Sequence, residues 1–325
     1  MSQRLKVIYL PSHNPEHFKP WGEDVVAAIG DRHDLRILDH SKPVVPQLAE
    51  VNVVIDMGGS IGTREMVDAA QRVRLWQIQG TGLDHFDMGY WRSKKVPVAN
   101  CPGPFSAVAL AECAMMFVLM LTRKFPASQA ALKAGEYYRP VGIELDGLKL
   151  GILGFGASGQ ELARRAVPFG LKVSAIDIRD IGADEARAFD LQFVGKPADL
   201  DRMVADVDIL SIHLHLNKET RHTIDARRLA LMKPTAFLVN VARGALVDEA
   251  ALTEALLVGR LAGAGLDVFG KEPPDLRDPL FNLPNVVTTP HIAGVTDGTS
   301  RKRARCCAEN VDRIAAGLEP LYRVD

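Results

Sequence analysis

The stretch LGILGFGASG occupies positions 150–159 and holds the pattern Gly-x-Gly-x-x-Gly at Gly154, Gly156 and Gly159. Glycine-rich turns are common, so this pattern gains weight only from its surroundings. It follows a run typical of a buried strand, opens a helix-like segment, and precedes a second strand-like run that ends at Asp177. This order of strand, glycine turn and helix predicts the phosphate-binding turn of a doubly wound parallel sheet.

Each part of the turn has a chemical reason. The first glycine permits the tight turn, the second lets a pyrophosphate approach the backbone, and the third brings helix close to strand. The helix start at Ala157 and Ser158 would offer unpaired N–H groups and a positive dipole end to the phosphates. Asp177 can accept hydrogen bonds from both ribose hydroxyls and would repel a 2′-phosphate. NAD is therefore favoured over NADP, although Arg179 would soften that preference.

Strand-like and helix-like segments alternate along both halves of the chain. The predicted strands are LKVIYL, VVIDM, LWQIQ and VPVAN before position 100, and KLGILG, LKVSAID, VDILSIHL, AFLVN, GAGLDV and NVVTTPH after it. Such alternation predicts parallel sheets covered by helices on both faces. We therefore expect an α/β protein with a Rossmann-type doubly wound sheet and a smaller flavodoxin-like α/β substrate domain.

Chain length and punctuation predict the domain boundaries. A chain of 325 residues exceeds one typical core. A Pro-Gly-Pro sequence at 102–104 breaks the chain before an apolar helix predicted at 107–121, and the closing segment 297–325 is predicted as one helix that packs back on the first domain. The predicted division is a discontinuous substrate domain at 1–103 and 295–325 and an NAD-binding domain at 104–294.

Composition argues against several other classes of protein. With 39 basic and 40 acidic residues the chain lacks the charge excess of a nucleic-acid partner, and its basic stretch at 301–305 is expected to be a solvated helix face. Its four cysteines have no metal-ligand or redox spacing, so no metal site is predicted and the thiols are expected to be reduced. The N-terminus lacks a signal-peptide core, and Glu112 interrupts the short apolar segment at 107–121. We expect a cytoplasmic protein without membrane contact.

Three polar residues follow predicted strands, where open α/β sheets bind ligands: Arg243, Glu272 and His291. Taken singly, each could be an ordinary surface or core residue. Together they supply what oxidation of a 2-hydroxy acid requires. A histidine can take the hydroxyl proton, a carboxylate beside it can orient and charge the ring, and a guanidinium can grip the substrate carboxylate.

Several ordered segments carry a family resemblance. They are GTGLDHFD at 80–87, VANCPGPFSAVALAE at 98–112, LGILGFGASG at 150–159, LMKPTAFLVNVARGALVDEAAL at 231–252, GRLAGAGLDVFGKEP at 259–273 and TTPHIAGVT at 288–296. With these segments the chain closely resembles the D-isomer-specific 2-hydroxyacid dehydrogenases over nearly its whole length. The resemblance implies NAD-dependent hydride transfer between nicotinamide and a small D-2-hydroxy or 2-oxo acid. It also implies a homodimer formed through the cofactor domain.

The resemblance further implies a role for individual positions. Arg243 resembles the family's substrate-binding arginine, Glu272 its carboxylate partner and His291 its acid/base. Asp267 matches the aspartate that holds the nicotinamide carboxamide. The other implied cofactor contacts, besides the glycine turn and Asp177, are His213, Thr220, Val241, Ala242 and Gly294, with Arg243 and His291 shared. The implied substrate loops, which Arg243 and His291 complete, contain Met57, Gly58, Gly59, Thr81 and Gly82, and the backbone amides of the last two would receive the substrate carboxylate.

Some positions depart from the family pattern. Phe105 stands where a polar residue is common, His215 where proline is frequent, and Ala157 and Ser158 where Arg-Ile is common. Two alternatives stay open: a nucleotide-sensing interaction protein of the same fold, and an enzyme for phosphite or another small anion. Formate oxidation is disfavoured, because formate enzymes of this family replace the residue that is Glu272 here. The sequence leaves the particular 2-hydroxy acid open.

Overall fold

The computed structural model describes residues 3–58, 61–83 and 86–325, which fold as two compact units. Unit 1 comprises residues 1–105 and 296–325, and unit 2 comprises residues 106–295. Each unit is built on one sheet whose neighbouring strands are all parallel. The predicted α/β class with two parallel sheets is confirmed.

Unit 1 has five strands, and the sheet order is β2-β1-β3-β4-β5. In this flavodoxin-like order the chain changes direction beside the first strand, and ligands bind at the carboxyl ends of the strands. The strands are β1 (Lys6–Leu10), β2 (Asp34–Ile37), β3 (Val53–Asp56), β4 (Leu75–Ile78) and β5 (Val98–Ala99). The helices between them are α1 (Trp21–Ile29), α2 (Val44–Leu48), α3 (Arg64–Ala69) and α4 (Met88–Ser93).

Unit 2 has seven strands, and the sheet order is β12-β11-β10-β9-β6-β7-β8. The chain reverses direction between β6 and β9, which is the switch point where a dinucleotide binds in doubly wound sheets. The strands are β6 (Lys149–Leu153), β7 (Lys172–Ile176), β8 (Leu191–Gly195), β9 (Ile209–Ile212), β10 (Phe237–Asn240), β11 (Gly263–Leu266) and β12 (Val286–Thr288). The helices are α5 (Ala107–Thr122), α6 (Phe125–Lys133), α7 (Ala157–Ala166), α8 (Ala183–Ala188), α9 (Leu200–Asp206), α10 (Ala226–Leu231) and α11 (Glu249–Leu257).

The closing helix is shorter than the sequence predicts. Helix α12 (Asp297–Ala315) packs on α1 in unit 1, and the prediction that it continues to residue 325 is wrong. Gly317 takes a φ of 74°, the left-handed conformation that ends helices, and Pro320 follows. The tail then runs back along the sheet and forms an isolated antiparallel bridge between Arg323 and Ala99.

The basic stretch of α12 does not form a uniformly solvated face. Arg301, Lys302 and Arg305 are exposed as expected, whereas Arg303 is half-buried against unit 1. A helix turns by about 100° per residue, so a run of adjacent basic residues spans more than one face. In the described ranges, no helix is long and apolar enough to cross a membrane.

Helix α5 lies against β11 at Gly265, where the missing side chain makes room for Phe117. A Cβ atom on Gly265 would lie 2.6 Å from the Cβ of Phe117, far inside van der Waals contact. Gly265→Ala should therefore lower the free energy of unfolding of unit 2 by about 2 kcal/mol, measured by urea or thermal denaturation. The control is Gly298→Ala in the first turn of α12, where a Cβ meets nothing within 4 Å. Equal midpoints for the two variants would contradict this packing argument.

Candidate functional site

The glycine turn lies between β6 and α7, as its sequence context predicts. Gly154 has a φ of 96°, and a Cβ there would lie 2.7 Å from the carbonyl oxygen of His213. A Cβ on Gly159 would overlap the carbonyl oxygen of Gly154. A Cβ on Gly156 would meet nothing within 4 Å, and no described side chain caps the start of α7. The turn therefore presents open backbone N–H groups, which is what a pyrophosphate requires.

Asp177 follows β7 and braces the same turn. Its Oδ2 accepts a hydrogen bond from the backbone N–H of Phe155 at 2.6 Å, and its Oδ1 accepts one from the N–H of Arg179 at 3.0 Å. The Arg179 guanidinium donates to both carboxylate oxygens of Glu185 at 2.6 and 2.8 Å, and to the carbonyl of Phe155 at 2.7 Å. This ion pair raises the pKa of Arg179 and lowers that of Glu185. A carboxylate therefore holds the arginine beside the glycine turn.

His213 joins the end of β9 to the first turn of α7. Its Nδ1 is 3.0 Å from the hydroxyl of Ser158, and its Nε2 is 3.0 Å from the hydroxyl of Ser211. Burial lowers the pKa of His213 to about 4, so the ring is neutral near pH 7. Thr220, the other residue assigned to this region, donates its hydroxyl to the carbonyl of His215 at 2.7 Å and thereby closes the loop after β9.

Asn240, the last residue of β10, shapes the turn that carries Arg243. Its side-chain oxygen accepts from the N–H of Ala242 at 3.0 Å, and its Nδ2 donates to the carbonyl of Arg243 at 2.9 Å. Val241 and Ala242 are buried, and the Arg243 guanidinium donates to the carbonyl of Ala242 at 2.8 Å. Sequence reasoning did not single out Asn240. The sequence feature that could have identified it is a polar residue at the end of an otherwise apolar strand.

Asp267 follows β11 and organises the turn after β12. Its Oδ1 accepts from the N–H of Ile292 at 2.7 Å and from the hydroxyl of Thr289 at 2.6 Å, and its Oδ2 accepts from the N–H of Ala293 at 2.8 Å. Its backbone carbonyl accepts from the N–H of His291 at 2.8 Å. The side chain is fully buried, and this burial raises its pKa in spite of the hydrogen bonds. Both carboxylate oxygens thus fix the turn on which His291 stands.

His291 and Glu272 form a hydrogen-bonded pair at this edge of the sheet. The Nδ1 of His291 is 2.6 Å from Oε2 of Glu272, whose Oε1 accepts from the N–H of Phe269 at 3.0 Å. Burial alone would raise the pKa of Glu272, but these hydrogen bonds and the nearby charges of His291 and Arg243 lower it. The carboxylate of Glu272 thus fixes the orientation of the imidazole ring. Gly294, three residues further on, is half-buried.

A cavity of about 410 Å³ opens beside the pair within unit 2. Its wall contains both members of the pair together with Phe269, Leu276 and Phe281. Small-molecule sites typically combine an apolar wall with a few polar groups. The structure therefore places Glu272 and His291 in the wall of a space of ligand size, with the charge of Arg243 close enough to act on Glu272.

The remaining sequence-predicted residues belong to unit 1. Thr81 and Gly82 follow β4, and the Thr81 hydroxyl donates to the carbonyl of Cys101 at 2.8 Å. The Thr81 carbonyl accepts from the side chain of Asn100 at 2.9 Å. These two bonds fix the loop and leave it at the carboxyl end of the sheet.

Met57 and Gly58 follow the neighbouring strand β3. The two loops are adjacent, because a Cβ on Gly80 would lie only 3.2 Å from the Cα of Gly58. Gly59, the third residue assigned to this loop, is outside the described residues.

Comparisons with known proteins agree on one family. A family model described as "D-isomer specific 2-hydroxyacid dehydrogenase, NAD binding domain" matches residues 115–293. A D-3-phosphoglycerate dehydrogenase of Methanocaldococcus jannaschii is 32% identical over 92% of this chain, and a hydroxypyruvate reductase of Thermotoga maritima is 36% identical over 81%. The chain spans 56% of the length of the first relative and 84% of the second. The solved D-lactate dehydrogenase from Aquifex aeolicus, complexed with NAD and lactic acid, matches with a TM-score of 0.79 and 26% identity over 96% of each chain.

Proposed function

The chain belongs to the family of D-isomer-specific 2-hydroxyacid dehydrogenases, NAD-dependent oxidoreductases, and from this premise we propose that it interconverts a small 2-oxo acid and its D-2-hydroxy acid. The single observation that carries the proposal is the 2.6 Å pair of His291 and Glu272, formed beside Arg243. Unit 2 contains the family's NAD-binding domain. In the proposal, unit 1 is the substrate domain.

The roles of the residues follow from their chemistry. When bound, NADH supplies the hydride for the 2-carbon of the oxo acid. His291, oriented by Glu272, donates a proton to the carbonyl oxygen in reduction, and in oxidation it takes that proton back. Arg243 binds the substrate carboxylate and polarises the carbonyl, with the amides of Thr81 and Gly82 as further receivers of the carboxylate. The open backbone at Gly156 and the start of α7 suit the pyrophosphate of NAD.

Turnover on a panel of 2-oxo acids tests the proposal. We expect NADH to be oxidised with at least one of glyoxylate, hydroxypyruvate, pyruvate, 2-oxobutyrate and phenylpyruvate. The oxidation is measured as the loss of NADH absorbance. In the reverse direction only the D isomer of the matching hydroxy acid should be consumed. If no acid is reduced while NADH still binds tightly, the reaction is wrong and a nucleotide-sensing role takes its place.

Selectivity for NAD should depend on how Arg179 is held. Asp177 disfavours a 2′-phosphate, and Arg179 is engaged by Glu185 and therefore not free to bind one. Glu185→Gln should release the guanidinium and raise the ratio of kcat/KM for NADPH to that for NADH about tenfold, equivalent to ~1.4 kcal/mol. The double variant Glu185→Gln with Arg179→Gln is the control and should return the ratio to the wild-type value. A gain that survives in the double variant would rule out Arg179 as its cause.

We also propose that the protein is a cytoplasmic homodimer. On α5, Met116 is exposed and Leu119 and Met120 are only partly buried, while the opposite face of the helix lies in the core of unit 2. Apolar side chains on an outer helix face suit a subunit interface. All four cysteines are free, which suits a reducing compartment. Light scattering should give a mass twice the 35.5 kDa of one chain.

A further inference from the structure

Arg303 reaches from the second turn of α12 to the loop after β4. Its Nη2 lies 3.3 Å from the hydroxyl oxygen of Thr81, and its Nη1 lies 3.5 Å from the carbonyl oxygen of Gln79. The guanidinium carbon stands 5.5 Å from the ring centre of Trp21, within range of a cation–π contact. The positive charge therefore lies in the same part of unit 1 as the proposed substrate loops.

The Arg303 guanidinium has fewer partners than its burial requires. The Nε atom is buried and has no hydrogen-bond partner in the described part of the chain. The two Nη atoms make only long hydrogen bonds to neutral oxygens. Burial lowers the pKa of Arg303, and the ionisable groups that oppose this shift are the thiols of Cys101 and Cys307. Within the described ranges no carboxylate contacts the guanidinium. Because a buried cation without an anion is costly, these surroundings suit an anion that arrives from outside.

A carboxylate of the same sheet, that of Asp56, is engaged by other groups. Asp56, at the end of β3, accepts from the indole N–H of Trp76 at 3.1 Å and from the N–H of Gly62 at 3.0 Å. The Thr81 hydroxyl already donates to Cys101, so towards Arg303 it can act only as an acceptor. Neither group neutralises the guanidinium.

The substrate of the proposed reaction supplies a reason for this charge. The carboxylate next to the reacting carbon already has receivers in Arg243 and in the amides of Thr81 and Gly82. A further cation beside the same loop is surplus for an acid with one carboxylate. We propose that the protein acts on 2-oxo acids that carry a second anionic group, a carboxylate or a phosphate, and that Arg303 binds this group. The inference rests on the proposed function and narrows its substrate class.

Matched substrates test this assignment. Oxaloacetate, 2-oxoglutarate and 3-phosphohydroxypyruvate carry a second anion, whereas 2-oxobutyrate and hydroxypyruvate do not. Wild-type kcat/KM should be about tenfold higher with the best substrate of the first group than with either substrate of the second. Whether that best substrate is a dicarboxylic acid or the phosphate ester identifies the second anionic group. Arg303→Gln should lower kcat/KM for that substrate about 100-fold, mainly through KM, and leave the second group within about threefold. Arg303→Lys, which keeps the charge, should restore part of the loss.

A purely structural role for Arg303 gives a different pattern. If the arginine only holds the loop, Arg303→Gln lowers kcat/KM equally for both groups, and the proposal is wrong. A wild-type preference for acids with a single carboxylate also overturns it. The control is Arg305→Gln, two residues along the same helix and exposed, which should change neither group.

A binding measurement separates this proposal from the proposed reaction. Thermal protection by oxaloacetate and by 3-phosphohydroxypyruvate, with NAD present, is compared between wild type and Arg303→Gln. If thermal protection depends on Arg303 but no substrate is turned over, the result counts against the proposed reaction and supports the anion site. If neither turnover nor Arg303-dependent protection occurs, the anion site is rejected as well.

Discussion

Replacement of His291 by asparagine should lower kcat for 2-oxo acid reduction about a thousandfold, within the range typical of a lost general acid. Asparagine is chosen because His291 has a φ of 55°, a left-handed conformation that asparagine tolerates better than alanine. The substitution therefore removes the proton donor and its bond to Glu272 while the turn keeps its backbone. The Kd for NADH, measured by fluorescence titration, should stay within about threefold of the wild-type value. A tenfold change would correspond to a loss of about 1.4 kcal/mol of binding free energy.

The chain offers a matched control for this variant. His222 is also in unit 2, has a φ of 51°, and is exposed. His222→Asn therefore repeats the change of residue and backbone region, and we expect nearly full activity. Equal losses of turnover and of NADH affinity in His291→Asn would contradict the acid/base role and indicate a disturbed cofactor site.

The sequence predicted the central strands of both sheets and the edge strands β5 and β12, and it overlooked the edge strands β2 and β8. Strands β3 and β4 are buried along their whole length, so they appear as continuous apolar runs. Strand β2 has no fully buried residue and β8 only Gly195, and each has a neighbour on one side alone. The edge strand β5, by contrast, is buried, and the C-terminal tail bridges to it at Arg323. Polar residues are tolerated on exposed strands, and they interrupt the apolar run by which a buried strand is recognised in a sequence.

Local patterns also explain which site residues could be foreseen. Arg243, Glu272 and His291 each follow a recognisable strand, so their common position at one sheet edge follows from the order of the chain. Arg303 acts through a contact with Thr81, 222 residues away in sequence. Glu185 acts through a contact with Arg179, six residues away across the start of α8. No spacing rule links such pairs, and only the folded chain places them together. The catalytic roles themselves stay predictions.

Asp267→Asn should lower kcat/KM about 100-fold, the loss that roughly 1 Å of misplacement in a catalytic group can cause. The amide is nearly isosteric with the carboxylate, but its NH2 end cannot accept a hydrogen bond. If it takes the place of Oδ2, it faces the buried N–H of Ala293, and donor then opposes donor. Turning the amide round moves the same conflict to Ile292 and Thr289. Either way the turn that carries His291 loses a hydrogen bond it needs.

The same variant distinguishes two roles for this aspartate. If Asp267 braces the turn, Asp267→Asn lowers the free energy of unfolding by about 2 kcal/mol as well as kcat/KM, because a buried donor is left unsatisfied. If it served only the nicotinamide carboxamide, the Kd for NADH would rise while the unfolding midpoint without NADH stayed at the wild-type value. Asp275→Asn, at an exposed carboxylate in the same unit, is the control and should change neither quantity. Because both oxygens of Asp267 already bond within the turn, we expect the loss of stability to appear before any cofactor is added.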